Sequence, residues 1–250
     1  MKRSTIVGLL AFTLIMIESL FVDAQYNINN SNNFTLFELF TSEGCSSCPA
    51  ADKTLADIQQ QYKNKNVLIL AYHVDYWNSL GWKDAFSTES NTQRQEYYSQ
   101  IFNLNSNYTP QVVVNGRKQF IGSDRPKILN AISEQNTDIT QCRLEVNAVI
   151  KRNNVSVTTK TANLPAGSIV IVCLVQKQAT TKVKAGENTG RMLQHTNVVR
   201  DFVSVNAGNN IQTTNFVLPN GLSGHEMFIA AFIQNKRTGV ITALNTKEIN

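Results

Sequence analysis

The residues in this chain best suited to chemistry are two cysteines, Cys45 and Cys48, in the run Cys45-Ser46-Ser47-Cys48-Pro49. With two residues between them they can close a small disulfide ring, so the pair can alternate between dithiol and disulfide. A thiol at a helix N-terminus faces unpaired backbone N–H groups and the positive end of the helix dipole, and both favour the reactive thiolate. Cys45, at the exposed outer position, is then the attacking sulfur, and Cys48, one turn deeper, resolves the mixed disulfide. The same spacing can serve as half of a zinc site, which needs two further ligands, most often a second CxxC or a close pair of histidines. The chain offers neither, because Cys142 and Cys173 are far apart and His73, His195 and His225 are isolated in sequence. An inert structural disulfide remains an alternative, as does a loop whose soft thiolates hold Cu(I) with His73 nearby. The redox reading itself calls for no cofactor and no metal.

The elements that must position this pair can be read on either side of it. Phe34 to Phe40 is rich in aromatic and apolar residues and ends at Thr41-Ser42-Glu43-Gly44, a buried strand running into a turn. Ala50 to Tyr62 places Leu55, Ile58 and Tyr62 at helical spacing, with Pro49 near the helix start, where proline is tolerated. Val67 to Asp75 is a continuous apolar run of the kind expected of a parallel strand covered on both faces. A helical stretch from about Ser90 to Phe102 lies within an aromatic-rich segment at about 78–104, where most aromatics are expected to pack into the core. Trp77, directly after the second strand, is the candidate for substrate contact, together with Thr109. After Tyr108-Thr109-Pro110-Gln111, the run Val112-Val113-Val114, the turn Asn115-Gly116 and Lys118 to Ile121 make a hairpin signal. Ser123-Asp124 then caps a helix from Pro126 to about Glu134.

Four stretches together resemble the thioredoxin superfamily, and more closely a family of secreted thioredoxin-like proteins of unknown function. They are Glu38 to Pro49, Tyr72-His73-Val74-Asp75-Tyr76-Trp77, Tyr108-Thr109-Pro110-Gln111 and His195-Thr196-Asn197-Val198-Val199-Arg200. The resemblance implies a thioredoxin fold, a dithiol site at Cys45 and Cys48, and a cis-proline at Pro110 opposite them. It implies no particular substrate. Leu39 stands where many thioredoxins keep a buried acid, and Glu38 is one residue out of register, on the opposite face of the strand. His73 and Asp75 are therefore the candidates for proton handling, since strand ends gather around the site in open α/β sheets and histidine titrates near neutrality.

From Thr140 onward the chain is short β-type runs separated by Asn, Gly and Pro, which points to a sandwich-like all-β domain at 138–250 following the α/β thioredoxin-like domain at 34–137. Cys142 alternates with Leu144, Val146, Ala148 and Ile150, and Cys173 with Ile169, Ile171 and Val175. Both cysteines thus sit on the apolar phase of their strands, and in an exported protein they are expected to pair. Gly186 to Asn197 carries charge and a histidine in an otherwise plain β region. Arg191 and His195 there can face a partner or the redox domain, and surface solubility is the simpler account.

Lys2 and Arg3 precede an apolar run from Ile6 to Ile17, and Val22-Asp23-Ala24 offers small residues for cleavage, the layout of a secretory signal peptide at 1–24. Export to a bacterial periplasm or the exterior follows, with no stable membrane span after cleavage and an Asn-rich leader at 25–33. The net charge of +5 is mild and scattered, which gives nucleic-acid binding no support. The expected activity is thiol–disulfide exchange with an exported cysteine-containing protein or a small thiol, re-poised by an unidentified redox partner. The alternative is a non-catalytic binding or copper-handling module.

Overall fold

The structure is a computed structural model and describes residues 33–134, 141–208 and 211–249. The expected signal peptide at 1–24, nearly all of the expected leader and the expected domain junction near 137–138 lie outside the described residues. The first half runs β1 (Thr35–Thr41), α1 (Cys48–Gln61), β2 (Val67–His73), α2 (Glu89–Ile101), β3 (Gln111–Val114), β4 (Lys118–Ile121) and α3 (Arg125–Ser133). Every residue of β1 and β2 is buried, as continuous apolar runs require, and the two strands pair in parallel from Thr35↔Val67 to Thr41↔His73. β3 pairs with β1 antiparallel, and β4 completes the hairpin. Both later helices begin at side-chain caps, with Thr88 accepting from the Asn91 N–H and Asp124 from the Lys127 N–H.

Alternation along β1 sends Phe37 and Leu39 into a cluster with Ala51, Leu55 and Ile58 of α1 and Ile128 of α3. Leu36 and Phe40 point to the other face, among Tyr72, Tyr98, Phe228 and Phe232. Glu38 shares that second face, so its carboxylate lies on the far side of the sheet from α1. There it accepts from Arg94 Nε at 2.6 Å and from the Tyr98 hydroxyl, while the Arg94 guanidinium also lies over the rings of Tyr72, Tyr98, Phe202 and Phe232.

The second half contributes β5 (Arg143–Lys151), β6 (Asn154–Ala162), β7 (Ser168–Lys182), β8 (Met192–Asn206), β9 (Ile211–Val217), β10 (Met227–Asn235) and β11 (Ile241–Glu248). Four of these strands extend the first half's sheet, whose order is β11-β10-β7-β8-β2-β1-β3-β4, while β5, β6 and β9 form a separate three-stranded sheet. The whole is an α/β unit with a mixed sheet plus further, mostly antiparallel strands. The strands of the second half thus lie in two packed layers, as a sandwich-like region requires, but one layer is continuous with the first half's sheet. Leu144, Val155, Val157 and Phe216 of the small sheet pack on Val170, Val172, Leu174 and Ile229 of the large one.

The expected Cys142–Cys173 disulfide does not form, and both cysteines are buried free thiols. Each is on the apolar phase of its strand, but the phases face opposite ways. Cys173 packs with Tyr72 and Phe228 on one side of the large sheet, while Cys142 packs with Leu144 and Val172 on the other. Burial pushes the Cys173 thiol up to about 12, against the hydrogen bond with Tyr72, so it stays protonated.

The halves also meet at a turn. Asn115 and Gly116, at φ 49° and 64°, close the β3–β4 hairpin, and the Ile241 N–H donates to the Asn115 carbonyl. A Cβ built on Gly116 falls 1.8 Å from the Gly239 carbonyl oxygen, whereas Gly190, also left-handed, has nothing within 4 Å of its Cβ position. Gly190→Ala should cost about 1 kcal/mol of unfolding free energy for the left-handed backbone. Gly116→Ala should cost about 2–4 kcal/mol because the docked backbone must also move. Equal losses for the two variants in urea titrations would show that the hairpin is not docked as described.

Candidate active site

Cys45 and Cys48 are joined in a disulfide, with Cα atoms 5.4 Å apart, at the junction between the loop after β1 and the first turn of α1. Pro49 sits in that first turn, and the Cys48 N–H donates to the Cys45 carbonyl at 3.3 Å. Ser46 and Ser47 are exposed, but Cys45 is only 1% accessible and Cys48 is fully buried. Cys45 is therefore not the open sulfur expected from its outer position. Neighbouring segments close over it, as described below.

The Thr109–Pro110 peptide is cis. Gln111 is the β3 residue opposite Phe40, so continuing that register sets Pro110 beside Thr41, the last residue of β1. Trp77 and Thr109 are brought together at the same place, where the indole Nε1 donates to Thr109 Oγ1 at 2.9 Å. Trp77 also packs on the turn before the disulfide, since a Cβ on Gly44 would lie 3.1 Å from the Trp77 Cβ.

His73 and Asp75, paired in the sequence reading, separate. Asp75 accepts from the Thr92 hydroxyl at 2.6 Å, while Thr92 Oγ1 accepts from the Asp75 backbone N–H. The Asp75 carboxylate thereby anchors α2. His73 turns to the α1 face of the sheet and is fully buried, with Nδ1 2.6 Å from Asp84 Oδ2. A carboxylate only accepts, so the proton of this bond belongs to Nδ1.

The partner of this pair is a second one, which sequence reading treated as surface. His195 is buried, with Nε2 3.2 Å from Glu43 Oε1, and its ring stands edge-to-face on His73 at 4.7 Å between centroids. Phe86 closes the trio against both rings. The remaining nitrogens, Nε2 of His73 and Nδ1 of His195, are buried without a hydrogen-bond partner. The two pairs are cross-linked, because Asp84 Oδ2 also accepts from the Glu43 backbone N–H at 2.9 Å, and Glu43 Oε2 accepts from the Trp82 indole at 2.7 Å. Burial works against a charged Asp84, but His73 and the N–H groups of Glu43 and Phe86 outweigh it and hold the carboxyl below its ordinary range. Among the described residues, no group of three or more His, Cys, Asp or Glu side chains is set to hold a metal ion.

Asp52 belongs to the same neighbourhood. It stands four residues after Cys48 on α1, hence on the same helix face, and accepts a 3.3 Å hydrogen bond from Thr41 Oγ1. Burial, aided by the charges of Asp84 and Glu43, raises its carboxyl from 3.8 to about 6 against the opposing pull of His195 and Thr41. The i, i+4 spacing was visible in sequence. Its burial was not, because that depends on Thr41, Glu43 and His195 converging from other elements.

The last component is the β7–β8 hairpin tip, closed by bonds between Val183 and residues 190 and 191. Asn188 is buried and donates through Nδ2 to the carbonyls of Glu43 and Cys45, at 2.8 and 2.9 Å, and Arg191 holds its Oδ1. Glu187 Oε2 accepts from the Ser46 N–H at 2.9 Å. The segment flagged for its charge thus clasps the turn that carries the disulfide.

A model of the family described as "Protein of unknown function (DUF1223)" matches residues 36–234. The X-ray crystal structure of an Agrobacterium tumefaciens protein is similar over 85% of this chain and 92% of that one, at 27% identity and a TM-score of 0.63. A domain of the outer membrane lipoprotein Omp28 from Porphyromonas gingivalis aligns with 45% of this chain and 90% of that one, at 17% identity and a TM-score of 0.29. No curated protein matches.

The shift at Asp52 fixes the sign of a pH effect. Between pH 4 and 6 the folded chain holds a proton on Asp52 that the unfolded chain has lost, so this site's contribution to stability falls as pH rises through that window. Asp52→Asn should stabilise the protein by about 1–2 kcal/mol at pH 7.5, less than the full linkage value because Asp52 keeps some exposure, and by nothing near pH 4. Urea unfolding of both forms at the two pH values checks this, and a gain that does not depend on pH contradicts it.

Proposed function

We propose that this chain, which belongs to the DUF1223 family of proteins of unknown function, is an exported thiol–disulfide oxidoreductase of thioredoxin-like build. The observation that carries the reading is the Cys45–Cys48 disulfide seated at the start of α1, with the half-buried carboxyl of Asp52 one turn further along the same helix face. The β1-α1-β2 and β3-β4-α3 order around it and the cis Thr109–Pro110 bond agree with the resemblance read from the sequence. Export rests on the charged and apolar N-terminal run ending at Ala24.

In the exchange, a client thiolate attacks Cys45 Sγ and the Cys45–Cys48 bond breaks. A mixed disulfide forms to Cys45, and Cys48 leaves as a thiolate, which takes a proton from Asp52. A second client thiolate then attacks the client sulfur of the mixed disulfide and releases Cys45. The client gains a disulfide, and the protein pair gains two electrons. In the reverse direction Asp52 accepts the Cys48 proton as that sulfur attacks the mixed disulfide. The backbone N–H groups at the start of α1 favour the Cys45 thiolate. Trp77 and Thr109, bonded to each other beside Pro110, form the surface against which the client lies.

Equilibration of the protein against glutathione buffers, with trapping of the thiols, is the deciding measurement. A single reversible two-electron transition is expected, and a pair that stays oxidised throughout is a structural disulfide. Cys45→Ala should abolish turnover of a disulfide-containing peptide. With the reduced protein and a disulfide-containing peptide, Asp52→Asn should leave attack of Cys45 on the peptide, which forms the mixed disulfide, unchanged while slowing its resolution by Cys48 about a hundredfold, the usual worth of a positioned proton acceptor. Single-turnover kinetics separate the two steps, and equal slowing of both would remove Asp52 from the proton path.

A further inference from the structure

We infer that Glu187, at the tip of the β7–β8 hairpin, sets the reduction potential of the Cys45–Cys48 pair by opposing negative charge on Cys45. This rests on the redox reading above and adds to it a residue from the other half of the chain. The Ser46 N–H, next in sequence to Cys45 and just before the Ser47 N-cap of α1, is a backbone donor on the cysteine turn that a nearby anion can use. Here that donor is occupied, because Glu187 Oε2 accepts from it at 2.9 Å. The carboxylate therefore removes one donor from the thiolate's surroundings and places a like charge beside the position where thiolate charge develops. Hydrogen bonds from Ser46 hold the Glu187 carboxyl below its ordinary range, so it is charged whenever the thiol chemistry runs.

The placement of Glu187 is imposed from several sides. Its neighbour Asn188 is buried and bonded to the carbonyls of Glu43 and Cys45. Arg191, on the same tip, is held by Asn188 Oδ1, so the nearby cation already has an acceptor. Gly186 sits so close to Trp82 that a Cβ there would lie 3.2 Å from the Trp82 Cβ, and Trp82 in turn donates to Glu43. The tip cannot drift from the redox turn without breaking these bonds together.

The consequence has a definite sign. Destabilising the thiolate disfavours the reduced pair, so Glu187 makes the couple more reducing and the disulfide harder to open. Glu187→Gln keeps a carbonyl oxygen for the Ser46 N–H but removes the charge. In glutathione buffers, two glutathione thiols become one glutathione disulfide as the protein disulfide takes up two electrons. The variant's equilibrium should shift about tenfold toward the dithiol, about 30 mV less negative for a two-electron couple. The Cys45 thiol pKa, followed by thiolate absorbance in the reduced protein, should fall with it. Both differences should shrink in high salt because Glu187 is exposed. Glu187→Asp, which keeps the charge, should stay nearer the wild-type midpoint.

A wild-type transition with an unchanged midpoint and thiol pKa in Glu187→Gln overturns this inference and leaves the redox reading standing. A wild-type pair with no two-electron transition overturns both. A shifted midpoint accompanied by a lowered melting temperature, with Glu187→Asp shifted equally, assigns the effect to loss of the clasp rather than to charge and also overturns it.

Discussion

The parallel join between β2 and β8 is the constraint on which the other features depend. It is narrow, with Ala71 opposite Val198, but it is reinforced by side chains. Asn197, at φ 54°, donates to the Ile69 carbonyl and to Gln59 Oε1, and Gln59 of α1 bonds both the Ile69 N–H and the Val67 carbonyl. Buried backbone groups that would otherwise lie unpaired at the seam are thereby satisfied by amide side chains from two elements. Once Val198 of β8 is fixed there, the residues before it, His195 and the hairpin tip, are carried over the end of β1 and β2.

Charge burial follows from that placement. His73 with Asp84 and His195 with Glu43 lie almost wholly out of water, and each carboxylate also accepts from a further N–H group. Such pairs contribute little net stability against their desolvation but are costly to break singly, since the survivor is left buried and uncompensated. On the opposite face, Glu38, Arg94, Tyr98 and Gln234 repeat the arrangement, linking β1, α2 and β10. Both networks draw on both halves of the chain, so neither half can satisfy its own buried polar groups.

The same geometry explains why the disulfide is closed. Its turn is approached by Trp77 at Gly44, by Asn188 at the carbonyls of Glu43 and Cys45, and by Glu187 at the Ser46 N–H. A cysteine turn held by two separate segments presents less open sulfur than one standing alone on a strand-to-helix junction. Access to the two sulfurs is then set as much by the clasp as by the two residues between the cysteines.

Much of the first half was legible in sequence because its signals are local. The apolar runs of β1 and β2, the helix after Pro49, the Asn115-Gly116 turn and the Asp124 cap depend on neighbours within a few residues. Strand parity also correctly separated Leu39 from Glu38, since adjacent strand residues face opposite ways. The pairing of Cys142 with Cys173 failed on the same principle applied across strands, where alternation gives a phase but not which face of the sheet it meets. The sequence by itself determined the CxxC, its seat at the start of α1 and the strands that flank it. Only the tertiary structure decided the partners of His73, the burial of His195, the environment of Asp52 and the clasp by Glu187 and Asn188. The last three draw on segments more than a hundred residues apart, such as Glu43 and His195, and no short-range pattern records which distant strand a sheet will accept beside β2.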